Sequence, residues 1–299
     1  MLVFKPVTLD SIAEIREFLR LQPYRTCDFS IGGIYMWASY FKYEYAIFEG
    51  TLFMKGLSEA DASELAFSLP LGALPIKESI EVLREYCRAI NRELVLSAVP
   101  ERAMQELVDE YACRNYKLED WTDYLYDGQS LATLPGTLYH KKRNHVSRFR
   151  REYPEAVYCR LDQSNLDQTL AFFERYRQQY DKLSPLYRNE MDMTEHVLKN
   201  FSLFRFLGAV LLVGDRVAGF TVGEVINDTL YVHIEKADKD FEGVYEALNM
   251  KFAEDVLSAY PEVRYINREE DVGDEGLRKA KLSYHPVSLL GKYNLVFNN

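Results

Sequence analysis

Helix-like and strand-like patterns alternate along the whole of this sequence, and that order restricts the fold more than any other feature. Asp10 and Ser11 can cap a helix to about Leu21, whose Ile12, Ile15, Phe18 and Leu19 share one face. Tyr43–Phe48 and Thr51–Lys55 read as a hairpin around Glu49-Gly50. Ser63–Leu69 and Glu93–Ala98 read as strands, and Ile76–Ile90 as a helix. Pro100 opens a helix over Glu101–Tyr111, and Lys117–Tyr126 is extended. The second half gives a strand at Ala156–Leu161, a helix from Ser164 to about Tyr180 and another from Thr194 to about Phe204. Strands at Gly208–Val213, Val217–Val225 and Thr229–Glu235 follow, joined by Gly214-Asp215 and Asn227-Asp228. A helix from Gly243 to Tyr260, a strand at Val263–Asn267, a helix at Glu275–Leu282 and a tail strand complete the order. The expectation is an α/β (α+β) chain with mixed sheets flanked by helices.

The 299 residues suit two domains, at 1–130 and 131–299, with the boundary in the Gly128–Thr137 segment that holds Pro135 and Gly136. A net charge of −10 excludes a protein that is basic all over and binds nucleic acid without selectivity. Met1–Asp10 lacks the apolar stretch of a secretory signal, and no apolar run is long enough for a membrane-spanning helix. Cys27, Cys87, Cys113 and Cys159 are isolated in sequence, which predicts reduced thiols, a cytoplasmic location and no metal site.

Against that acidic background, Tyr139–Tyr153 gathers Lys141, Lys142, Arg143, Arg148, Arg150 and Arg151 against Glu152 alone. As a helix it places Val146, Phe149 and Tyr153 on an apolar stripe, with Lys141, Asn144, Arg148 and Arg151 on another face. Concentrated cations on a rigid element suit phosphate binding, so Lys141, Lys142, Arg143, Asn144, His145, Arg148 and Arg151 are candidate donor-binding residues. A solvated connector paired with acidic neighbours is the alternative.

In Leu230–Lys236, Tyr231, His233 and Glu235 share a face opposite Leu230, Val232 and Ile234. An attacking amine must lose a proton, which makes Glu235 or His233 a candidate general base. The next strand runs into Asn267-Arg268-Glu269-Glu270-Asp271, then Gly273, Gly276, Arg278 and Lys281. Glu269 and Asp271 are candidate holders of a substrate ammonium, and Arg278 or Lys281 candidate partners for an oxyanion or phosphate. Tyr231 and Asn267 complete the candidate site, and a helix cap is the alternative role for Asp271 or Asp274. Nucleophile-elbow, Walker, dinucleotide and H-E-x-x-H motifs are absent, so direct transfer is expected rather than a covalent intermediate.

Two segments, Y-H-K-K-R-N-H-V-S-R-F-R-R-E-Y at 139–153 and N-R-E-E-D-V-G-D-E-G-L-R-K-A-K-L-S-Y-H-P at 267–286, resemble the C-terminal catalytic domain of phosphatidylglycerol lysyltransferases. The resemblance implies two tandem acyl-CoA N-acyltransferase (acetyltransferase-like) domains, related to Fem-type peptidyltransferases. It implies transfer of an acyl or aminoacyl group from aminoacyl-tRNA or a CoA thioester to an amine or hydroxyl, with no tightly bound cofactor. The polar strand face, carboxylates and cations that converge in the second half place the expected active site there, and in such folds the fourth and fifth strands splay apart to admit the donor. The usual pyrophosphate loop there is glycine-rich and basic, whereas this chain has Lys239-Asp-Phe-Glu-Gly243-Val-Tyr245, which favours aminoacyl-tRNA over CoA. The lysyltransferases' long membrane-embedded portion has no counterpart in these residues. A non-catalytic module that binds RNA through the basic helix is the competing expectation.

Overall fold

The computed structural model describes residues 2–179 and 184–298, so the expected helix end at Tyr180 lies outside the described residues. The chain opens with β1 (Lys5–Pro6), α1 (Ile12–Leu19) and α2 (Ile31–Trp37), then the hairpin β2 (Glu44–Phe48) and β3 (Thr51–Leu57). Glu49 and Gly50 both take positive φ, 48° and 68°, the twist a two-residue hairpin turn requires. After β4 (Leu65–Phe67) and β5 (Leu71–Gly72), α3 (Ile76–Ala89) buries Ile80, Leu83 and Cys87 at helical spacing. β6 (Val95–Pro100), α4 (Glu101–Glu110) and β7 (Cys113–Lys117) follow.

The middle of the chain holds β8 (Asp123–Asp127), α5 (Gly128–Thr133), α6 (His140–Glu152), β9 (Val157–Arg160) and α7 (Leu166–Gln178). The helix expected from Thr194 begins earlier, as α8 (Pro185–Lys199), because Pro185 suits a first turn and Ser184 accepts the Tyr187 N–H as cap. Next come α9 (Phe201–Phe204), the meander β10 (Leu207–Val213), β11 (Arg216–Ile226) and β12 (Thr229–Ala237), and α10 (Val244–Ala259). β13 (Tyr265–Asn267), α11 (Glu275–Leu282), β14 (Ser288–Leu290) and β15 (Lys292–Phe297) close the chain.

Two mixed sheets result, ordered β1-β2-β3-β4-β6-β15-β7, with β5 paired to β3, and β14-β8-β13-β12-β11-β10-β9. Unit 1 comprises Met1–Asp123, Glu270–Glu275 and Leu289–Asn299; unit 2 comprises Tyr124–Glu269 and Gly276–Ser288. The tail strand expected to finish the second half therefore belongs to the first sheet. β15 pairs antiparallel with both β6 and β7, which satisfies both its edges and buries Leu295 and Phe297. Contiguous halves at 1–130 and 131–299 miss this return of the chain.

Each sheet forks at a parallel pair. In unit 2, β12 and β13 pair only from Thr229 opposite Tyr265 to Tyr231 opposite Asn267, and β12 runs on alone towards Ala237. Val222 pairs with Ile234 but Gly223 with Val232, so His233 is the extra residue of a β-bulge, which ends the simple alternation expected of this strand. In unit 1, β4 and β6 share one paired position, Phe67 opposite Leu96. Here β15 pairs Tyr293 with Val99 and Leu295 with Leu96, leaving Ser97 and Ala98 opposite Asn294 alone. The unit 2 core forms where Phe252 and Val256 of α10 meet Tyr126, Leu230 and Ile266. Gly243, at φ 84°, lets α10 start against α6: a Cβ there would lie 2.4 Å from the His145 carbonyl oxygen.

Candidate active site

The unit 2 fork gathers most of the residues singled out in the sequence, but as a closed ionic lattice. The Glu235 carboxylate accepts from Arg268 Nη2 at 2.8 Å and from Asn249 Nδ2 at 3.2 Å. His233, its side chain 1% exposed, lies 2.7 Å from Glu269 and 3.1 Å from Glu224, one carboxylate at each ring nitrogen. Burial opposes the imidazolium, yet the hydrogen bonds to the two carboxylates outweigh it and raise the pKa to about 9. An imidazolium with both nitrogens engaged has no lone pair for the base role expected of His233. Glu269 is occupied by that pair rather than held for a substrate ammonium. Its own strained backbone, at φ 57°, is fixed by an N–H donated to the Asn267 side chain at 2.6 Å.

Tyr231, Asn267, Lys281 and Asp271 are held in the framework too. Tyr231 and Asn267 are fully buried. Lys281 is buried and donates to the Arg268 carbonyl at 2.6 Å, so it supports the fork rather than facing a ligand. Arg278 is half-buried on α11. Asp271 lies in unit 1, buried, and accepts the Gly273 N–H at 3.0 Å, a bond of the turn before α11 rather than the helix cap weighed for it. His285 stands edge-on to Tyr139 with ring centroids 5.5 Å apart.

The basic segment forms α6, with Val146 and Phe149 buried as its apolar stripe requires. Its cations divide. Lys142 turns inward to Glu246 at 3.3 Å and stands 3.9 Å over the Tyr284 ring; burial lowers its pKa, against the pull of Glu246. Arg143 donates to the carbonyls of Leu134 and Gly136, and Arg148 pairs with Glu152 and Glu242. Asn144 and His145 are exposed. Lys141, Arg150 and Arg151 are exposed with no ion pair among the described residues, so they remain the part of the helix suited to phosphates.

The unit 1 fork is open. A cavity of about 50 Å³ lies where β4 and β6 diverge, lined by Phe67, Ser68, Ser97 and Ala98 from that region. Its aromatic walls are Trp37, Phe41, Tyr43 and Trp121, with Phe41 5.7 Å from both the Tyr43 and Trp121 ring centroids. Ala98 takes φ 53°, and its N–H is held by the Asn294 side chain at 3.3 Å. Beside the lining residues Asp28 and Glu270, Lys292, 0% exposed, lies 2.8 Å from both Asp28 and Asp123 and also pairs with Glu270. Burial and neighbouring carboxylates raise Asp28 and hold Asp123 near 7, whereas the Lys292 charge overcomes burial and lowers Glu270. Cys27, Asp28 and Asp123 bring ligand atoms within 4.8 Å of one another, but the Lys292 ammonium already bonds this group. Glu59 differs: it hydrogen-bonds to the hydroxyls of Tyr43, at 3.2 Å, and Ser97, and has no ion pair among the described residues. Burial raises its pKa.

Residues 19–296 match the family described as phosphatidylglycerol lysyltransferase, C-terminal. The chain belongs to that family. A conserved protein of unknown function from Bacteroides thetaiotaomicron VPI-5482 superposes with a TM-score of 0.88 at 31% identity, over 100% of both chains. L-PGS from Bacillus licheniformis gives 0.65 at 14% identity, over 96% of this chain and 92% of that one. FemX gives 0.61 at 9%, over 99% and 98%. The latter two show a shared fold, the two mixed sheets flanked by helices described above. An uncharacterized protein of Mycoplasmoides gallisepticum is 24% identical over 181 residues, 58% of this chain, and the match spans about half (56%) of that relative.

For this member of the phosphatidylglycerol lysyltransferase C-terminal family, no helix among the described residues is long and apolar enough to cross a membrane. Sequence reading missed its unit 1 cavity because Cys27, Glu59, Ser97, Asp123, Glu270 and Lys292 are scattered along the chain. Only the insertion of β15 between β6 and β7 brings the last of them to the first sheet. A charged residue at the start of the apolar run Tyr293–Phe297 was the one local signal.

Proposed function

We propose that this chain is a transferase that moves an acyl or aminoacyl group from an activated donor to an amine or hydroxyl by direct attack. The open unit 1 fork carries this reading: it joins an aromatic-walled cavity to a carboxylate, Glu59, that lacks a cation and has a raised proton affinity. Glu59 is the proposed general base, oriented by Tyr43 and Ser97. Glu235 and Arg268, bound to each other, act as framework. The proposed donors are aminoacyl-tRNA, favoured by the absence of a basic glycine-rich loop before α10, and a CoA thioester. In unit 2, exposed Lys141, Arg150 and Arg151 suit the binding of a polyanion such as tRNA. The test is transfer of label from aminoacyl-tRNA and from acyl-CoA to pooled amines and to hydroxyl-bearing lipid vesicles. Turnover that vanishes in a folded Glu59→Gln variant supports the reading; no turnover from either donor, or full turnover in that variant, overturns it.

The same exposed cations favour a second reading, a polyanion-binding module without catalysis. RNA binding with no transfer from any donor would select it.

A further inference from the structure

We infer that the acceptor is a primary amine, bound as its ammonium in the unit 1 cavity against Glu59; this rests on the transferase reading above. The argument begins with charge. Asp28, Asp123 and Glu270 are bound to Lys292, whose ammonium also lies 3.4 Å from the Cys27 sulfur. That cation is therefore fully used. Lys55, the other lysine at the cavity, pairs with Glu44 at 2.6 Å and stands over the Phe4 ring. Glu59 has no ion pair among the described residues: the Tyr43 and Ser97 hydroxyls bond it, and Lys292 acts on it only at longer range. Four carboxylates, Asp28, Asp123, Glu270 and Glu59, thus stand about one ammonium, an arrangement that is costly until a cation enters or protons bind.

The shape of the site selects which cation. The aromatic lining of Trp37, Phe41, Tyr43 and Trp121 favours an organic cation over a hydrated inorganic one. A hard dication would compete instead for Cys27, Asp28 and Asp123, where Lys292 already bonds. Among organic cations a primary ammonium carries three N–H donors, and Glu59 is an acceptor, so it gains a charge-assisted bond that a quaternary group lacks. A hydroxyl acceptor brings no charge to offset the excess.

The chemistry follows from the same contact. Glu59 takes one proton from the ammonium, and the freed lone pair forms a carbon–nitrogen bond to the acyl carbon. The donor's carbon–oxygen or carbon–sulfur bond breaks. The leaving group carries off one proton, and one is released to water, so an amide forms with no oxidant or reductant.

The test is calorimetric binding to the full chain at neutral pH, without donor, of n-butylammonium, n-butanol and tetramethylammonium, with zinc as a separate titrant. We expect n-butylammonium to bind at least tenfold more tightly than the other two organic probes, and at least tenfold more weakly to Glu59→Gln. The comparison among ligands on the unaltered protein holds even if that variant fails to fold. Equal binding of butanol, undiminished amine binding by folded Glu59→Gln, no amine binding, or zinc binding at the site in place of the amine each overturns the inference. Amine binding without any transfer sinks the transferase reading alone; transfer to hydroxyls without amine binding sinks this inference alone.

Discussion

Glu235 reaches across the unit 2 fork to Arg268, with 2.8 Å between oxygen and nitrogen and both side chains largely buried. Two strands that separate are thus tied together by side chains where their backbones no longer pair. Arg268 also faces the rings of Tyr284, at 4.8 Å, and Tyr126, at 5.9 Å. Removing one partner from such a pair leaves a buried charge without its counterion.

Glu235→Gln should therefore lower stability by about 3–5 kcal/mol, the usual cost of breaking a buried pair. Urea unfolding of the variant is the measurement. An unchanged midpoint would show that the pair is not structural.

Glu59→Gln should act in the opposite way. Turnover should fall by roughly 10²–10⁴, the usual share of a general base, with the unfolding midpoint nearly unchanged. Assaying the two glutamine variants side by side, for activity and stability, separates framework from chemistry.

His233 makes folding pH-dependent. Its folded pKa, about 9, exceeds the ordinary value of 6.5. The raised value stabilises the fold fully below about pH 6.5 and loses its effect as pH rises through 9. The shift corresponds to roughly 3 kcal/mol. Thermal melts between pH 6 and 10 should decline over that window, and His233→Gln should flatten the decline while lowering the acidic plateau.

Reversing Lys141, Arg150 and Arg151 to Glu should weaken binding of RNA or tRNA and reduce its salt slope by about 3, one for each lost phosphate contact. The fold should persist, since Val146 and Phe149 are untouched. A filter-binding series across salt concentrations reads both effects, and an unchanged slope would make α6 a connector. Arg148 is a poor probe because Glu152 and Glu242 already hold it.

Much of the architecture was legible. The turns at Glu49-Gly50, Gly214-Asp215 and Asn227-Asp228, the basic helix and the helix Glu275–Leu282 all follow from local patterns, because caps, turn residues and periodicity act over a few positions. The site was legible only in part. His233 and Glu269 do meet, while Glu235 turns to Arg268, because one extra residue in β12 re-aims His233 and alternation cannot reveal a bulge. Which carboxylate has a cation depends on partners distant in sequence. Glu59 looks no different in sequence from any surface acid, and Lys292 none from any surface lysine.

The placement of β15 between β6 and β7 bears on how the protein is made. Translation delivers unit 1 in instalments, and the strand carrying Lys292 and Asn294 is synthesised after every strand of the second sheet. Until then the first sheet has unpaired edges at β6 and β7, and the carboxylates of Asp28 and Asp123 wait without the ammonium that will hold them. Unit 2, whose long meander is contiguous, has its central strands ready earlier. The amino-terminal half of the molecule is thus the later to reach its native form, and a nascent chain stalled before Lys292 would expose that unfinished sheet to chaperones and proteases.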